Sequence, residues 1–363
     1  MYEIVASIHN HTRYSDGSGN HEQLIRAALD AGIDVLITND HNVLVRGADQ
    51  YTTRGDQHLL MLAAEEIHDQ ARMPQKNHML VIGARKELAQ FAYSPQELIH
   101  QAEEAGAATF LAHPYESDLP LFHEPDISWV DWDVQGFTGL ELWNHFSEFK
   151  DVGKNIASAL YYAFFPADYP RGPQRETLER WDRLLTAGQR VVAVGGVDAH
   201  ALLFHLAFFH KVIFPYKFHY TCINTHLLLE EELNHDLEHD RSLVLQALKG
   251  GSAFVGYDLP ASTRGFSFTA ETDTTKVSMG QSILIDKGAT LRIHLPRPVR
   301  TQLIYNGMVV KQWEGNTQLV TTADKAGAYR VECSIHFRGM ERGWIYSNPI
   351  YVEKPGKDHV SRE

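Results

Sequence analysis

Two histidines stand one residue apart near the start of the chain, His9 and His11 in "SIHNHTRYSDGSGN", with Asp16 ahead of a glycine-rich turn. If residues 4–11 are extended, positions i and i+2 share a face and both imidazoles converge on one point. Two neutral imidazoles aimed at one point suggest a metal ion. A polar strand end with two solvent-facing histidines is the other reading of this stretch. The same residue types recur at the ends of later apolar runs: Asp40 and His41, Glu65 and Glu66, His78, His113, Glu141, then Asp198 and His200. Each falls in or just after an expected strand. Hydrogen-bonded strand-end histidines occur in any α/β protein. Paired HxH and DxH motifs, a DH, an HP and an EE at successive strand ends are hard to produce by chance.

The elements that must carry these residues alternate. Residues 3–8 read as a short apolar strand. Asn20 then caps a helix, with Gln23 as capping-box partner, Leu24, Ile25, Ala28 and Leu29 at helical spacing, and Gly32 as the stop. "IDVLIT" (33–38), 59–64 and 78–83 read as strands. "SPQELIHQAEEAG" is a helix with Ser94 as cap, Pro95 in the first turn, Glu97 closing the box and Gly106 ending it. "AATFLAHP" and "GLELWN" are strands, 175–185 a helix and "RVVAVGGVDAH" (190–200) a strand. The stretch 201–234 is aromatic and histidine-rich with less regular periodicity, and "SLVLQALKGGSAFVG" gives one more helix and strand. Repeated strand and helix predict parallel βαβ units, whose strands gather their sites at the carboxyl ends. After about Pro260 the texture changes. "FSFTAE", "ATLRIHL", "VRTQLIYNG", "TQLVTTA" and "AYRVECSIHF" alternate apolar and polar residues between turn signals, which predicts an all-β appendage, a small sandwich. "KPGKDHVSRE" reads as a loose tail.

Bulk composition narrows the function classes. The 363 residues are 44% hydrophobic and 22% charged, which suits a soluble globule. A formal net charge of -13 does not suit a general grip on nucleic-acid phosphates. Two cysteines, Cys222 and Cys333, give neither a disulfide framework nor a CxxC. The first residues show no basic run leading into an apolar core, and no apolar run reaches the length of a membrane span. A cytoplasmic protein without membrane attachment is the expectation, and a homo-oligomer is compatible with it. The 21 histidines are the compositional oddity.

Taken in order, "HNHTRYSDG", "TNDHN", "AAEEI", "NHMLVIG", "LAHP" and "GGVDAH" resemble the motifs of the PHP (polymerase and histidinol phosphatase) superfamily, over residues 2–200 and more loosely to 256. The layout that follows resembles the CehA/McbA-like branch of that superfamily. The resemblance implies a distorted (β/α)7 TIM-like barrel over 1–258, an Ig-like β-sandwich over 259–355 and a tail over 356–363. It implies two or three divalent metal ions (Zn, Mn or Fe). One would be held by His9, His11, Glu66 and Asp198, a second by Glu66 as a bridge with His78 and His113, and a third by Asp16, His41 and His200. A carboxylate has two oxygens and can bridge two cations, and imidazole with carboxylate suits these metals. Water bridging two such cations loses a proton near neutral pH and becomes a nucleophile. Asp198, His200 and Glu66 would form the catalytic centre.

Glu66 rather than Glu65 is assigned because the family pattern puts its glutamate directly before the apolar residue, here Ile67. The family's usual glycine two residues earlier is Ala64, which leaves the register open by one. Asp40, Glu65 and Glu141 are expected around the ligands, Asp40 orienting an imidazole. Arg46, Arg171 and Arg175 are candidates to fork onto a phosphate. His145, His205, His210 and His219 are candidate general acids, His145 foremost. "YYAFFPADYP" offers either core packing or the wall of an apolar pocket. The reading is a metal-dependent phosphoesterase acting on a small phosphorylated ester. The alternatives are a hydrolase of carboxyl esters, carbamates or amides with the same centre, and a metal-binding scaffold without catalysis.

Overall fold

The computed structural model describes residues 1–120, 124–206 and 209–355. Strand β1 (Tyr2–Asn10) leads into helix α1 (His21–Ala31) and β2 (Val35–His41). The Asn20–Gln23 capping box forms, and Gly32 ends α1 in the left-handed region at φ 76°. A hairpin follows, β3 (Gln50–Arg54) against β4 (Gln57–Ile67), then β5 (Met79–Ile82), α2 (Pro95–Glu104) and β6 (Ala108–Leu111). Pro95 starts α2 as expected, but Ser94 makes no side-chain capping bond. Glu97 is engaged one turn on, accepting from Gln101 Nε2 at 3.1 Å, so the anticipated box is absent. Next come β7 (Gly139–Asn144), α3 (His145–Val152), α4 (Ile156–Phe164), α5 (Arg175–Thr186) and β8 (Val192–Ala199).

Seven of these strands close a barrel in the order β1, β2, β4, β5, β6, β7, β8 and back to β1. All the pairings are parallel except those of β5, which runs antiparallel to both β4 and β6. The reason lies in residues 68–78, which contain no helix to carry the chain back across the barrel. The uniformly parallel reading is corrected accordingly, and one consequence bears on the site. The amino end of β5 shares the rim with the carboxyl ends of the other strands, so His78, just before β5 rather than within or after a strand, reaches that rim.

Period-2 alternation fills the interior. Ile4, Ala6 and Ile8, Val35 and Ile37, Leu60, Leu62 and Ala64, Leu80 and Ile82, Ala108 and Phe110, Val192 and Val194 form one buried cluster. Val244, Ala247 and Leu248 of helix α7 (Leu237–Gly250) join it and close the floor of the barrel.

The segment after β8 forms a hairpin, β9 (Leu202–Leu206) and β10 (Phe209–Ile213), the short helix α6 (Tyr216–Tyr220) and β11 (Ile223–Leu229). The side chains of 204–210, including the candidates His205 and His210, lie outside the described residues, as does the tail 356–363. β11 pairs antiparallel with the first half of β1, and β12 (Ala253–Tyr257) with β11. The C-terminal strands are β13 (Ser267–Glu271), β14 (Lys276–Ser278), β15 (Ser282–Leu284), β16 (Ala289–Tyr305), β17 (Met308–Ala323), β18 (Gly327–Phe337), β19 (Met340–Ser347) and β20 (Ile350–Glu353). β12 pairs with β19, so hydrogen bonding runs unbroken from the barrel side into this all-β part. The two runs "ATLRIHL" and "VRTQLIYNG" are one strand of 17 residues. Pro296 and Pro298 fall where the β16–β17 register shifts between His294 and Val299, and there a missing N–H is tolerated. Among the described residues no helix is long and apolar enough to cross a membrane.

Two polar knots tie distant segments together. Buried Arg342 donates to the carbonyls of Phe337, Pro170 and Asp168, and Gly343 N donates to Arg171 O at 2.6 Å, so the β18–β19 hairpin grips residues 168–171. At the other end of the barrel His226, fully buried, lies 2.7 Å from Glu3 Oε1 and 3.0 Å from Asp258 Oδ2. Burial opposes a charge on this imidazole, yet the two carboxylates outweigh it and raise its pKa to about 9.

A raised folded-state pKa stabilises below the unfolded value, near 6.5, and that stabilisation is lost as pH rises through about 9. The full shift corresponds to on the order of 3 kcal/mol. Denaturant midpoints of the wild type are expected to fall between pH 7 and pH 10, and His226→Gln to lack that part of the fall. Parallel pH dependence in the two proteins would sink the assignment.

Candidate metal centre

The carboxyl rim of the barrel collects the polar strand ends. Barrel phase explains part of this: His41, Glu66, His78 and Asp198 continue the inward-facing positions of β2, β4, β5 and β8. His9 and His113 are out of phase with the inward residues of their strands. Both have positive φ, 69° and 27°, and Asp198 has 50°. His9 and His11 therefore converge through a left-handed turn at His9, not through the simple alternation of an extended strand. A non-glycine residue in this region stores strain of about 1–3 kcal/mol, which the surrounding structure must hold.

Glu66 sits at the centre, buried. Its Oε2 lies 3.2 Å from His9 Nε2, 3.2 Å from His11 Nε2 and 3.1 Å from His41 Nδ1. Its Oε1 lies 2.8 Å from His78 Nδ1 and 3.0 Å from His113 Nε2. Asp198 Oδ1 is 3.4 Å from His9 Nε2 and 3.2 Å from His11 Nε2. Asp16 completes the outer edge, 3.4 Å from His41 Nε2 and 3.2 Å from His200 Nε2. Asp16 is 53% exposed, His41 21% and His200 11%, while the others are nearly enclosed, so this edge faces incoming solutes.

Four overlapping groups have ligand atoms close enough to share an ion: His11, Asp16, His41 and His200; His9, His113 and Asp198; His9, His11 and Glu66; His41, Glu66 and His78. The donor chemistry fits divalent cations. His9 Nε2, His11 Nε2, His41 Nδ1 and Glu66 Oε2 are buried without a hydrogen-bond partner among the described residues. They converge with the wrong angles for hydrogen bonds and the right atoms for coordination. Burial pushes Glu66 and Asp198 upward, but the imidazoles, His9 first, hold both carboxyls well below their usual range. Burial opposes charging of His113 and His200, yet Glu116 and Glu66 raise the first, and Asp198 and Asp16 the second, to about 9. His78, dominated by burial, falls to about 3.

Neighbours fix which imidazole nitrogen faces the cluster. His9 Nδ1 donates to Glu141 Oε1 at 2.9 Å, while Glu141 Oε2 accepts from His113 N and Asn144 Nδ2. His200 Nδ1 donates to Asp198 O at 2.9 Å. Among the described residues no imidazole hydrogen-bonds to Asp40. It accepts from Thr12 N, Thr12 Oγ1 and Ser15 Oγ, each at 2.8 Å, and so ties down the turn that bears Asp16. Glu65 points away from the centre, accepts from Leu88 N at 3.1 Å and is pushed up to about 7 by burial.

Other candidates lie elsewhere. Arg175 pairs with Glu179 on α5 at 2.6 Å, Arg171 is held through its main chain by Glu148 and Gly343, and Arg46 lies near Glu65. His145 is enclosed by Tyr169, Phe214, Phe218 and His219, with Tyr169 OH 2.6 Å from its Nδ1. His219 is equally buried, and burial lowers its pKa to about 3. Of "YYAFFPADYP", Tyr169 is fully buried in a small core cluster with Ala159, Phe149 and Phe214, and Tyr162 packs against it, while Tyr161 and Phe165 are half exposed.

Several neighbours escaped the sequence reading. Asn39 Oδ1 accepts from His9 N at 3.2 Å. His68 stacks on His78 with ring centroids 4.3 Å apart, and its position two residues beyond Glu66 on the same strand phase was the available signal. Gly196 leaves room for the site: a Cβ there would fall 1.9 Å from Glu141 Oε1 and 3.0 Å from His9 Cβ.

No family model and no curated protein sequence matches this chain. Among solved structures it is similar to a two-domain protein containing a predicted PHP-like metal-dependent phosphoesterase from Bacteroides vulgatus. The two share 14% identity over 96% of this chain and 95% of that one, with a TM-score of 0.44.

Gly196→Ala is expected to displace Glu141 and lower the metal bound per chain, measured by elemental analysis after reconstitution. Gly250→Ala, where a methyl group meets nothing within 4 Å, should bind the wild-type amount. Equal metal content in all three proteins would contradict the packing argument.

Proposed function

We propose that the chain is a metal-dependent hydrolase of the PHP type, acting on phosphoesters. The observation that carries this is the division of Glu66: one oxygen faces His9, His11 and His41, the other His78 and His113. A carboxylate so divided is suited to hold two cations side by side. His9, His11, Glu66 and Asp198 would hold one, Glu66, His78 and His113 a second, and Asp16, His41 and His200 a third. Divalent cations so held supply acidified water at neutral pH and neutralise charge on substrate oxygens.

The chain's own residues do the rest. Glu141 and the Asp198 carbonyl orient His9 and His200 so that Nε2 of each faces inward. Asp40 holds the Asp16 turn. Enclosure of Glu66 and the inner imidazoles excludes bulk water, so a substrate meets the centre at the Asp16, His41 and His200 edge. Charge favours an anionic substrate. The carboxylates of the set are Glu66, Asp198 and Asp16, so two or three divalent cations leave a positive centre.

Aryl phosphomonoesters and phosphodiesters should turn over once Mn, Zn or Fe is restored to chelator-treated protein, and far faster than aryl acetates or carbamates. Asp198→Ala or His9→Ala should lose more than the roughly 100-fold that removing an outer hydrogen-bond partner of a metal ligand costs, with little change in fold. Turnover of acetates without phosphates, or wild-type rates in either variant, would overturn the proposal.

A further inference from the structure

A buried ion pair stands behind His113. The imidazole lies between two carboxylates: Nε2 is 3.0 Å from Glu66 Oε1, and Nδ1 is 4.0 Å from Glu116 Oε2. His113 Nδ1 is buried and has no hydrogen-bond partner among the described residues. Glu116 is held on every side. Its main chain exchanges hydrogen bonds with Ser128 Oγ at 2.8 and 3.1 Å. Ser147 Oγ donates to its Oε2 and Lys150 Nζ to its Oε1, both from α3. Lys150 Nζ also donates to Pro125 O at 3.1 Å and lies 3.9 Å from Glu124 Oε2.

The side chains of Glu116 and Lys150 are each 1% exposed. Removing both charges from water is expensive, and a buried pair of this kind is weak evidence for stability. A role beside the metal centre accounts for it better. Imidazoles that ligate metals usually donate their second N–H to a carboxylate, a carbonyl or water, which fixes the tautomer and raises the donor strength of the first nitrogen. Glu141 does this for His9 and the Asp198 carbonyl for His200. Glu116 is the carboxylate in position to do it for His113. A gap of 4.0 Å is too long for a bond, so an approach of about 1 Å completes it.

We infer that Glu116, set in place by Ser147 and Lys150, is a positioning residue for His113: it accepts the Nδ1 hydrogen bond and leaves Nε2 as the metal-facing atom. The inference rests on the metal reading above but not on phosphoester chemistry.

Cobalt(II) is the probe, added to chelator-treated protein. Its visible absorption bands report ligand geometry, and competition with a chelator reports affinity. Glu116→Ala is expected to weaken one cobalt equivalent by about 10–100-fold and to shift the bands. Glu116→Gln, whose amide oxygen can still accept, should recover part of both. Should the alanine variant fail to fold, the near-isosteric glutamine variant decides on the same readouts. Wild-type affinity and spectrum in a folded Glu116 variant would overturn the inference and leave the metal reading standing. A wild type that takes up no cobalt would overturn both.

Discussion

A carboxylate closed off from water at the heart of a barrel must be balanced by its surroundings, and Glu66 is balanced by five imidazoles. Removal from water works against its charge, and the ring nitrogens reverse the outcome. The arrangement cannot be neutral packing. An uncharged interior would have filled the rim as it fills the floor, with the aliphatic side chains that surround α7. What the rim holds instead is a set of lone pairs facing one another, stable when a positive charge sits among them.

Meeting that requirement shapes the backbone. A strand can present every second side chain to the interior, but the centre needs His9 and His11 together with residues from five other elements. The chain reconciles the two demands with left-handed residues at His9, Asp198 and His113 and with irregular pairing between β1 and β8. The reversed β5 solves a related problem, bringing a residue before a strand to the same rim as residues near strand ends.

Local signals in the sequence were legible where neighbouring residues decide the structure. The Asn20–Gln23 box and the Gly32 stop are of that kind, as is the turn at Asn306–Gly307, where both residues adopt positive φ. Ser94 carried the same signal as Asn20 without the bond: its backbone N–H donates to Phe91 O, and the Glu97 side chain accepts from Gln101 instead. The histidines and carboxylates that meet at the rim all stand on the list of strand-end candidates, since barrel topology decides where such ends go, but the resemblance was needed to separate them from Asp40, Glu65 and Glu141. Of the residues that hold them, Glu141 could be named from its strand end, and it does meet His9 and His113. Asn39 and Glu116 act through contacts on other elements, and no short-range pattern distinguishes them from ordinary polar side chains. The direction of β5 and the continuity of β16 through two prolines were hidden for the same reason.

The pairing of β12 with β19 has a consequence for how this chain is put together. Phe254, Val255 and Gly256 share their backbone hydrogen bonds with Ile345, Tyr346 and Ser347. A barrel cut away after residue 258 would present those groups bare, as a sticky border inviting another chain. It would also release the carbonyls that Arg342 clasps between α4 and α5. The C-terminal strands are thus no detachable ornament but the cover of an edge that continues from the barrel through β11 and β12, and a fusion or truncation that preserves the barrel must bring its own strand to that margin.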